Sequence, residues 1–369
     1  MVPSTPLPAV GTVYNASYGK LGSDAYAGDK WNKFSKEVFM PSVTVNWDIN
    51  DKLTFKHITR YTDAEAQQRN MYNNEGFVEG SDTILDRIAY TTDESMKNWT
   101  TDNQLAYKFD TANTSHNLLF GIEYQETDST ATYYDAGADG TPNLDLSNPD
   151  FSQISTDILP LDTFSRYDDI EQSQLGLYVQ DEMTWQDWTV VAGLRHDKFK
   201  SILDRTDTSK GVIPSEKMID NDASETSGRL AAIYNFDNGL SPFLSYSQSF
   251  QPVVGSNFIT NEPFEPTTAD QLEAGIKYLS PDRATKGTFA VFDIAQKNVV
   301  VSDYVKYTDQ TQTGEIESKG FEISGSRMLN DWVDLSASYS YTDAEITEEE
   351  INPEVVGNTP AQTAKHKAT

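Results

Sequence analysis

The chain has 369 residues, of which 57 are acidic and 28 are basic, so its formal net charge at pH 7 is −29. This charge excludes a nucleic-acid-binding protein, because phosphate binding needs a basic surface. There are no cysteines and only 4 histidines, which removes disulfides and thiol chemistry and leaves few groups for metal or acid–base catalysis, so we do not expect an enzyme.

Several segments alternate apolar and polar residues with a period of two, which indicates β-strands that have one apolar face. In chain order the clearest are residues 43–49, 118–124, 190–194, 244–250, 272–278 and 333–341. In the last of these, Val333, Leu335 and Ala337 lie on one face, and Ser336 and Ser338 lie on the other. Together with weaker runs, the pattern predicts about twelve strands.

Turn signals separate these strands in pairs. The short ones are Asn50-Asp51, residues 110–115, Gln186-Asp187, residues 236–241, residues 280–285 and Asn330-Asp331. The other connections are predicted to be long and polar, at 72–83, 133–168, 204–223, 253–267, 302–313 and from 348 onward. Short and long connections therefore alternate along the chain.

Many of the strands reach ten or more residues with their polar flanks, whereas strands in globular sheets usually have about five or six. A transmembrane β-strand needs about 9 to 11 residues that alternate lipid-facing apolar with lumen-facing polar side chains, with short turns at one rim and long loops at the other. The sequence therefore predicts an all-β fold, a transmembrane antiparallel β-barrel with short periplasmic turns and long extracellular loops.

Aromatic residues support two interfacial girdles, since Trp47, Trp185, Trp188 and Trp332 lie beside short turns and Tyr339 and Tyr341 lie toward the long loops. Aromatic residues also favour strands of any kind. The alternative is a soluble β-sandwich or propeller, but the hairpins share no repeated motif and a sandwich does not explain the difference in loop lengths. The sequence has no apolar run of about 20 residues and no signal-peptide pattern at its start.

Residues 172–199, QSQLGLYVQDEMTWQDWTVVAGLRHDKF, resemble the barrel of TonB-dependent siderophore receptors. The resemblance continues in FEPTTADQLEAGIKY, TGEIESKGFEISGS and GNTPAQTAKH, in the family's order. Within the family, the chain is most similar to ferrichrome-type receptors for hydroxamate siderophores.

The resemblance implies a bacterial outer-membrane receptor that binds a ferric siderophore outside and imports it with energy from TonB. Residues 1–369 would be one partial barrel domain, and we expect the plug domain and the C-terminal strands to be absent from this sequence. The implied partners are the siderophore, outer-membrane lipid and, through the missing N-terminal region, the TonB complex. Iron would arrive inside its chelator, so no cofactor and no protein metal site are expected.

The resemblance also suggests ligand contacts. Tyr72 lies where the family carries a Tyr-x-Tyr pair, whose second position is Asn74 in this sequence. Tyr133 and Tyr134 lie near another aromatic position of the family. Hydroxylated aromatic rings suit a compact chelate without strong charge. Alternatively, these tyrosines belong to an interfacial girdle or pack within loops.

Two other candidate sites are weaker. Residues 135–140, DAGADG, resemble the start of a calcium loop, but its twelfth position is Leu146 and not Glu. Asp181, Glu182, Arg195 and Asp197 lie on one predicted hairpin, where they form a catalytic carboxylate cluster or, as we predict, a ladder of salt bridges in the lumen.

Three alternative functions remain open from sequence. A passive porin would use rings of charged residues in an open lumen. An outer-membrane hydrolase would need a nucleophile beside one of the histidines, and His57, His116, His196 and His366 have no such motif nearby. A soluble β-rich binding module would fold without a membrane.

Overall fold

The computed structural model describes residues 7, 9–12, 14–21, 25–136, 141–153, 164–208, 215–302, 310–360 and 363–369. In these residues one antiparallel sheet of fifteen strands contains nearly all of the regular structure. The strands are β1 Lys33–Phe39, β2 Ser42–Asn50, β3 Leu53–Phe77, β4 Ile84–Asp110, β5 Ser115–Asp135, β6 Leu144–Asp145, β7 Phe164–Trp185, β8 Trp188–Asp207, β9 Ser215–Tyr234, β10 Leu240–Gln251, β11 Thr267–Leu279, β12 Thr285–Ser302, β13 Gln310–Asn330, β14 Val333–Glu348 and β15 His366–Ala368. A short α-helix, Ala9–Thr12, and a 3-10 turn, Pro353–Val355, complete the described elements.

The strands follow one another in the sheet in chain order, with two exceptions. The two-residue β6 pairs with β4, and β1 and β2 pair with consecutive parts of β3. If β1 and β2 are taken as one crossing and the very short β6 and β15 are set aside, twelve crossings remain. The predicted all-β, antiparallel arrangement of about twelve strands is confirmed.

All six predicted short turns are present, and Asx residues shape several of them. The Oδ1 atoms of Asn50, Asn238 and Asn330 accept the backbone N–H two residues later, at 2.9, 3.1 and 3.1 Å. Asp282 does the same at 3.0 Å. Such bonds imitate a backbone turn and explain why Asn and Asp occupy these positions.

Several of the predicted long connections are shorter in the structure. Much of the range 204–223 belongs to strands, because β8 extends to Asp207 and β9 begins at Ser215. Cross-strand pairs such as Asp204 with Met218 continue the sheet through this region. Likewise β3 continues to Phe77, inside the predicted loop at 72–83. The strands therefore reach much further than their apolar alternation indicates.

The longest strands exceed what a membrane requires. Strands β3 and β4 have 25 and 27 residues. At about 3.3 Å per residue and a tilt of about 45°, such a strand rises by roughly 60 Å, whereas the lipid-facing apolar band of a barrel is about 25 Å tall. The ends far from the short turns therefore project from the membrane as an extracellular extension, which we define as residues 63–98 of β3 and β4 with their neighbours on β5, β7 and β8.

Aromatic side chains lie next to the short turns, at the positions expected for a lower girdle. The ring of Tyr234 meets those of Trp188 and Phe236 edge to face, with centroid distances of 5.0 and 4.6 Å. Trp332 is 84% exposed. None of the helices in the described part of the chain has the length and hydropathy of a membrane-spanning helix.

The apolar cores of the described residues lie in the extracellular extension. Trp31, Met71, Ala89 and Ala136 form one of them. The other consists of Ala27, Leu85, Leu144 and Leu146, with Phe77 and Phe151 packed against it. Residues 25–32 and 141–153 thus cover one face of the projecting ends of β3 and β4. Leu146, which occupies the position where a calcium loop would need Glu, is a core residue.

Arg87 joins these two covering segments. Its side chain is fully buried, and its Nε donates to the carbonyl of Pro142 at 2.8 Å, while Nη1 donates to that of Gly28 at 3.0 Å and Nη2 donates to the Gln153 side chain. Burial lowers the pKa of Arg87 to about 10, so the guanidinium remains charged at neutral pH and keeps all of these donors.

We expect Arg87→Ala to release segments 25–32 and 141–153, because the substitution leaves buried carbonyls without donors at a cost of about 3 kcal/mol. Proteinase K added to intact cells should then cleave these segments faster than in the wild type. Lys30→Ala, at an exposed cation in the same segment, is the control. Equal cleavage of the two variants would show that Arg87 does not hold the segments.

Candidate ligand site on the lumen face

Cross-strand pairing sorts the side chains into two faces. Phe55, Leu105, Phe120, Val179 and Leu194 occupy successive paired positions on β3, β4, β5, β7 and β8. Paired residues of antiparallel strands point to the same side, so these residues form one apolar face, which we call the outer face. The opposite face is polar, and we call it the lumen face.

Midway along the lumen face, Arg195 is the centre of an ion-pair network. Its guanidinium donates to both carboxylate oxygens of Asp197 at 2.7 Å and pairs with Glu123 at 2.7 Å. Asp197 is 1% exposed and also accepts from Gln174 at 2.8 Å. A carboxylate so buried and doubly paired fixes the arginine in a single orientation.

Two glycines leave room for the large side chains of this network. Tyr178 lies across Gly121 and donates to Asp102 at 2.8 Å; a Cβ at position 121 would be 1.9 Å from the Tyr178 ring. A Cβ at Gly176 would be 2.1 Å from the Arg195 guanidinium. Glycine is needed at these positions because large side chains of the next strand lie flat over them.

The predicted ladder of charges is confirmed for Arg195 and Asp197 and is wrong for Asp181. Asp181 lies on the outer face, where His116 pairs with it at 2.7 Å near the short turns. Among the described residues, Glu182 has no bond to either group. The arrangement holds an arginine in place and contains no nucleophile, which agrees with a structural role for the network.

A second group lies on the lumen face of the extracellular extension. The rings of Tyr72 and Tyr90 meet edge to face, with their centroids 5.6 Å apart. The Tyr90 hydroxyl accepts from Gln68 Nε2 at 3.0 Å and from Asn70 Nδ2 at 3.4 Å. Burial, and then the charge of Asp135, raises the pKa of Tyr72 above its ordinary value. The Tyr72 hydroxyl is therefore protonated at neutral pH and able to donate.

Tyr133 belongs to the same face, two strands away from Tyr72. The Arg166 guanidinium lies over its ring, 4.3 Å from the centroid. Arg166 Nε also pairs with Asp168 at 3.2 Å, while Arg205 donates to both oxygens of Asp168 at 2.7 and 3.0 Å. Because Asp168 is anchored by Arg205, it holds Arg166 flat on the phenol.

Thr92 lies between the two aromatic groups. It pairs across the strands with Gln68 on one side and with Tyr133 on the other. Its hydroxyl has no hydrogen-bond partner in the described part of the chain. We call the set Tyr72, Tyr90, Thr92, Tyr133 and Arg166 the upper lumen cluster.

The four residues predicted from the resemblance do not all lie together. Tyr72 and Tyr133 belong to the upper lumen cluster, whereas Tyr134 pairs with Thr91 and points to the opposite face. Asn74 lies near the tip of β3, where its amide donates to Asp86 at 2.9 Å. Ligand contact by any of the four stays a prediction.

Sequence reasoning missed Tyr90, Thr92, Arg166 and Asp168. Arg166 and Asp168 fall within the predicted loop at 133–168, yet β7 begins at Phe164. These residues could have been identified from cross-strand pairing, because paired residues on neighbouring strands point to the same face. Once Tyr133 is placed on a strand, the adjoining strand must present a residue beside it.

Among the described residues, no cluster of three or more His, Asp or Glu side chains has the geometry to hold a metal ion. Residues 137–140 of the calcium-like segment lie outside the described ranges.

A long antiparallel sheet with one apolar outer face, one polar lumen face and aromatic residues beside its short turns is typical of a membrane β-barrel protein. Residues 3–369 match the family described as "TonB dependent receptor-like, beta-barrel". The chain belongs to this family, and it is an outer-membrane protein. Membership excludes the soluble β-sandwich.

Two curated relatives are similar to this chain over nearly its whole length. The chain is 30% identical to the ferrichrome outer membrane transporter/phage receptor of Escherichia coli (strain K12), over 98% of this chain and 49% of that protein. It is 32% identical to the ferrioxamine B receptor of Salmonella typhimurium (strain SL1344), over 91% of this chain and 45% of that protein. The chain thus spans about half the length of the curated relatives it matches.

Solved structures share the fold. The closed form of the ferric-catecholate import receptor Fiu from E. coli K12 superposes with a TM-score of 0.81 at 19% identity, over 99% of this chain and 56% of that one. The siderophore receptor PiuA from Acinetobacter baumannii gives a TM-score of 0.78 at 18% identity, over 93% and 53%.

The glycine positions of the lumen network provide a test of its rigidity. We expect Gly121→Ala to push the Tyr178 ring away from Asp102 and to destabilise the barrel by about 1 to 3 kcal/mol. Thermal unfolding in detergent, followed by the heat-dependent gel mobility of the barrel, should show a lower midpoint. The control is Gly228→Ala, whose Cβ would have no neighbour closer than 3.6 Å. Equal midpoints for both variants would contradict the close approach.

Proposed function

We propose that this chain forms part of a receptor that binds a ferric siderophore outside the cell and imports it by TonB-dependent active transport. The observation that carries the proposal is the upper lumen cluster, in which three tyrosines, a threonine hydroxyl and an arginine face the lumen at its extracellular end. Two curated relatives, named as a ferrichrome transporter and a ferrioxamine B receptor, support a hydroxamate chelate.

The chemistry of the cluster suits such a ligand. A ferric hydroxamate complex presents oxygen atoms and an apolar skeleton, and aromatic rings with hydroxyls offer flat contact area and hydrogen bonds at low entropic cost. Tyr72 and Thr92 supply hydroxyl donors, and Arg166 supplies N–H donors held against Tyr133. Because these groups lie on long paired strands, they are positioned before the ligand arrives.

Iron would enter as part of this ligand, so we propose no resident metal or cofactor. We also propose that the protein is not an enzyme, because its curated relatives are transporters and receptors. The remaining partners, outer-membrane lipid and the TonB complex, follow from the same kinship. The assignment of residues 1–369 to one part of a larger barrel stays a prediction.

The upper lumen cluster can be tested by substituting its tyrosines in the full-length protein. We expect Tyr72→Ala and Tyr133→Ala each to weaken the binding of a ferric trihydroxamate by about tenfold, the usual effect of removing a central aromatic contact. The measurement is equilibrium binding of the iron-55-labelled chelate to intact cells at 4 °C.

Tyr134→Ala is the matched control, because Tyr134 is the adjacent tyrosine on the opposite face. Its affinity for the chelate should equal that of the wild type. Unchanged affinity in both lumen variants, or an equal loss in all three, would refute the assignment of the cluster as the binding site.

A further inference from the structure

Three cationic side chains follow one another across the lumen face of the extracellular extension and onto β9. Arg166 on β7 lies over the ring of Tyr133, Arg205 follows on β8, and Lys217 on β9 is the cross-strand partner of Arg205. The Cβ atoms of paired residues are about 5 Å apart, so Arg205 and Lys217 present adjacent charges. We call these three residues the cationic row.

Two carboxylates share the lumen face with the cationic row and leave part of its charge unpaired. Asp168 is buried and pairs with both Arg166 and Arg205, and Asp207 is the cross-strand partner of Arg166. Arg205 donates to Asp168 from Nε and Nη2, which leaves its Nη1 group available. In the described part of the chain, Lys217 has no carboxylate partner. The excess positive charge therefore lies at Arg205 and Lys217.

The loop between β10 and β11, residues 252–266, adds a hydroxyl to this end of the row. The half-buried Lys217 donates from Nζ to Ser256 Oγ at 2.6 Å. Asn221, on the same face of β9, donates to the carbonyl of Phe264 at 2.7 Å, and Phe264 is 2% exposed, so the loop is fixed against the strand. Because Ser256 accepts from the lysine, its own O–H is able to donate.

We propose that Arg205, Lys217 and Ser256 form a subsite for a carboxylate carried by the ferric chelate, so that the protein prefers an anionic chelate to a neutral or cationic one. The inference rests on the proposed function. A carboxylate accepts charge-assisted hydrogen bonds from a guanidinium and from an ammonium group, and the hydroxyl supplies a further donor. The ammonium group of a cationic chelate is repelled by the same two cations.

The position of the subsite allows one ligand to reach both groups of residues. Strand β9 lies three strand spacings from β5, which carries Tyr133, a separation of about 14 Å at about 4.8 Å per strand. The tyrosines of the upper lumen cluster contact the iron-bearing core of the chelate, and a flexible acidic arm extends along the row to Lys217. The same chelate without the arm keeps only the first set of contacts.

The test uses one linear ferric trihydroxamate whose terminal amine is left free, acetylated or succinylated, so that the chelate is cationic, neutral or anionic. Equilibrium binding of each iron-55-labelled form is measured on intact cells that carry the full-length protein, and binding to cells without it is subtracted. Lys217→Met removes the charge at the subsite. Lys200→Met is the matched control, because Lys200 is an exposed lysine on the opposite face of β8 and its loss changes the net charge equally.

We expect the anionic form to bind about tenfold more tightly than the neutral form in the wild type and in Lys200→Met, and the cationic form to bind most weakly. In Lys217→Met the ratio should fall to about two, because only Arg205 remains to pair with the carboxylate. Heat-dependent gel mobility confirms that each variant is folded. Equal affinities for the three forms, or an equal fall of the ratio in both lysine variants, would overturn the subsite and leave the proposed function in place. No binding of any form would overturn both.

Discussion

The structure depends on one constraint, that every backbone N–H and C=O within the hydrocarbon must find a partner on a neighbouring strand. Strands β3 to β5 and β7 to β9 meet it with nearly uninterrupted antiparallel pairing. Once pairing is continuous, the period of two assigns every side chain to lipid or lumen. The ion-pair network of Arg195 and the upper lumen cluster are both consequences of this division.

Beyond the membrane the same strands need another source of stability, because their backbones are no longer protected from water. Residues 25–32 and 141–153 supply it by packing Ala27, Leu144 and Leu146 against one side of the extension, and Arg87 ties the two segments together through their carbonyls. The covered side keeps the projecting strands in place, and the opposite side is left to present Tyr72 and Tyr90. The covered face thus keeps the opposite face, which carries the proposed ligand site, in a fixed position.

Within the membrane the sequence was sufficient to predict the fold, because lipid on one side and a polar lumen on the other impose alternation. The segment 333–341 and the Asn-containing turns at Asn50 and Asn330 were interpreted correctly for this reason. The predicted loop at 204–223 was too long, because polar residues on both faces remove the alternation while backbone pairing continues to Asp207 and resumes at Ser215. The candidate site was predicted only in part for the same reason. Tyr72 and Tyr133 were identified through the family resemblance, but Arg166 lay in the predicted loop at 133–168. Only the pairing register of β4 and β5 shows that Tyr134 points away from the lumen face.

The candidate site depends on a difference between adjacent residues of one projecting strand, of which one faces the proposed ligand site and the other faces away. Labelling of Tyr133→Cys and Tyr134→Cys in intact cells by a membrane-impermeant maleimide, with and without a saturating ferric trihydroxamate, tests it directly. We expect the chelate to slow labelling of Tyr133→Cys and to leave labelling of Tyr134→Cys unaffected. Equal protection of both positions, or protection of neither, would contradict it.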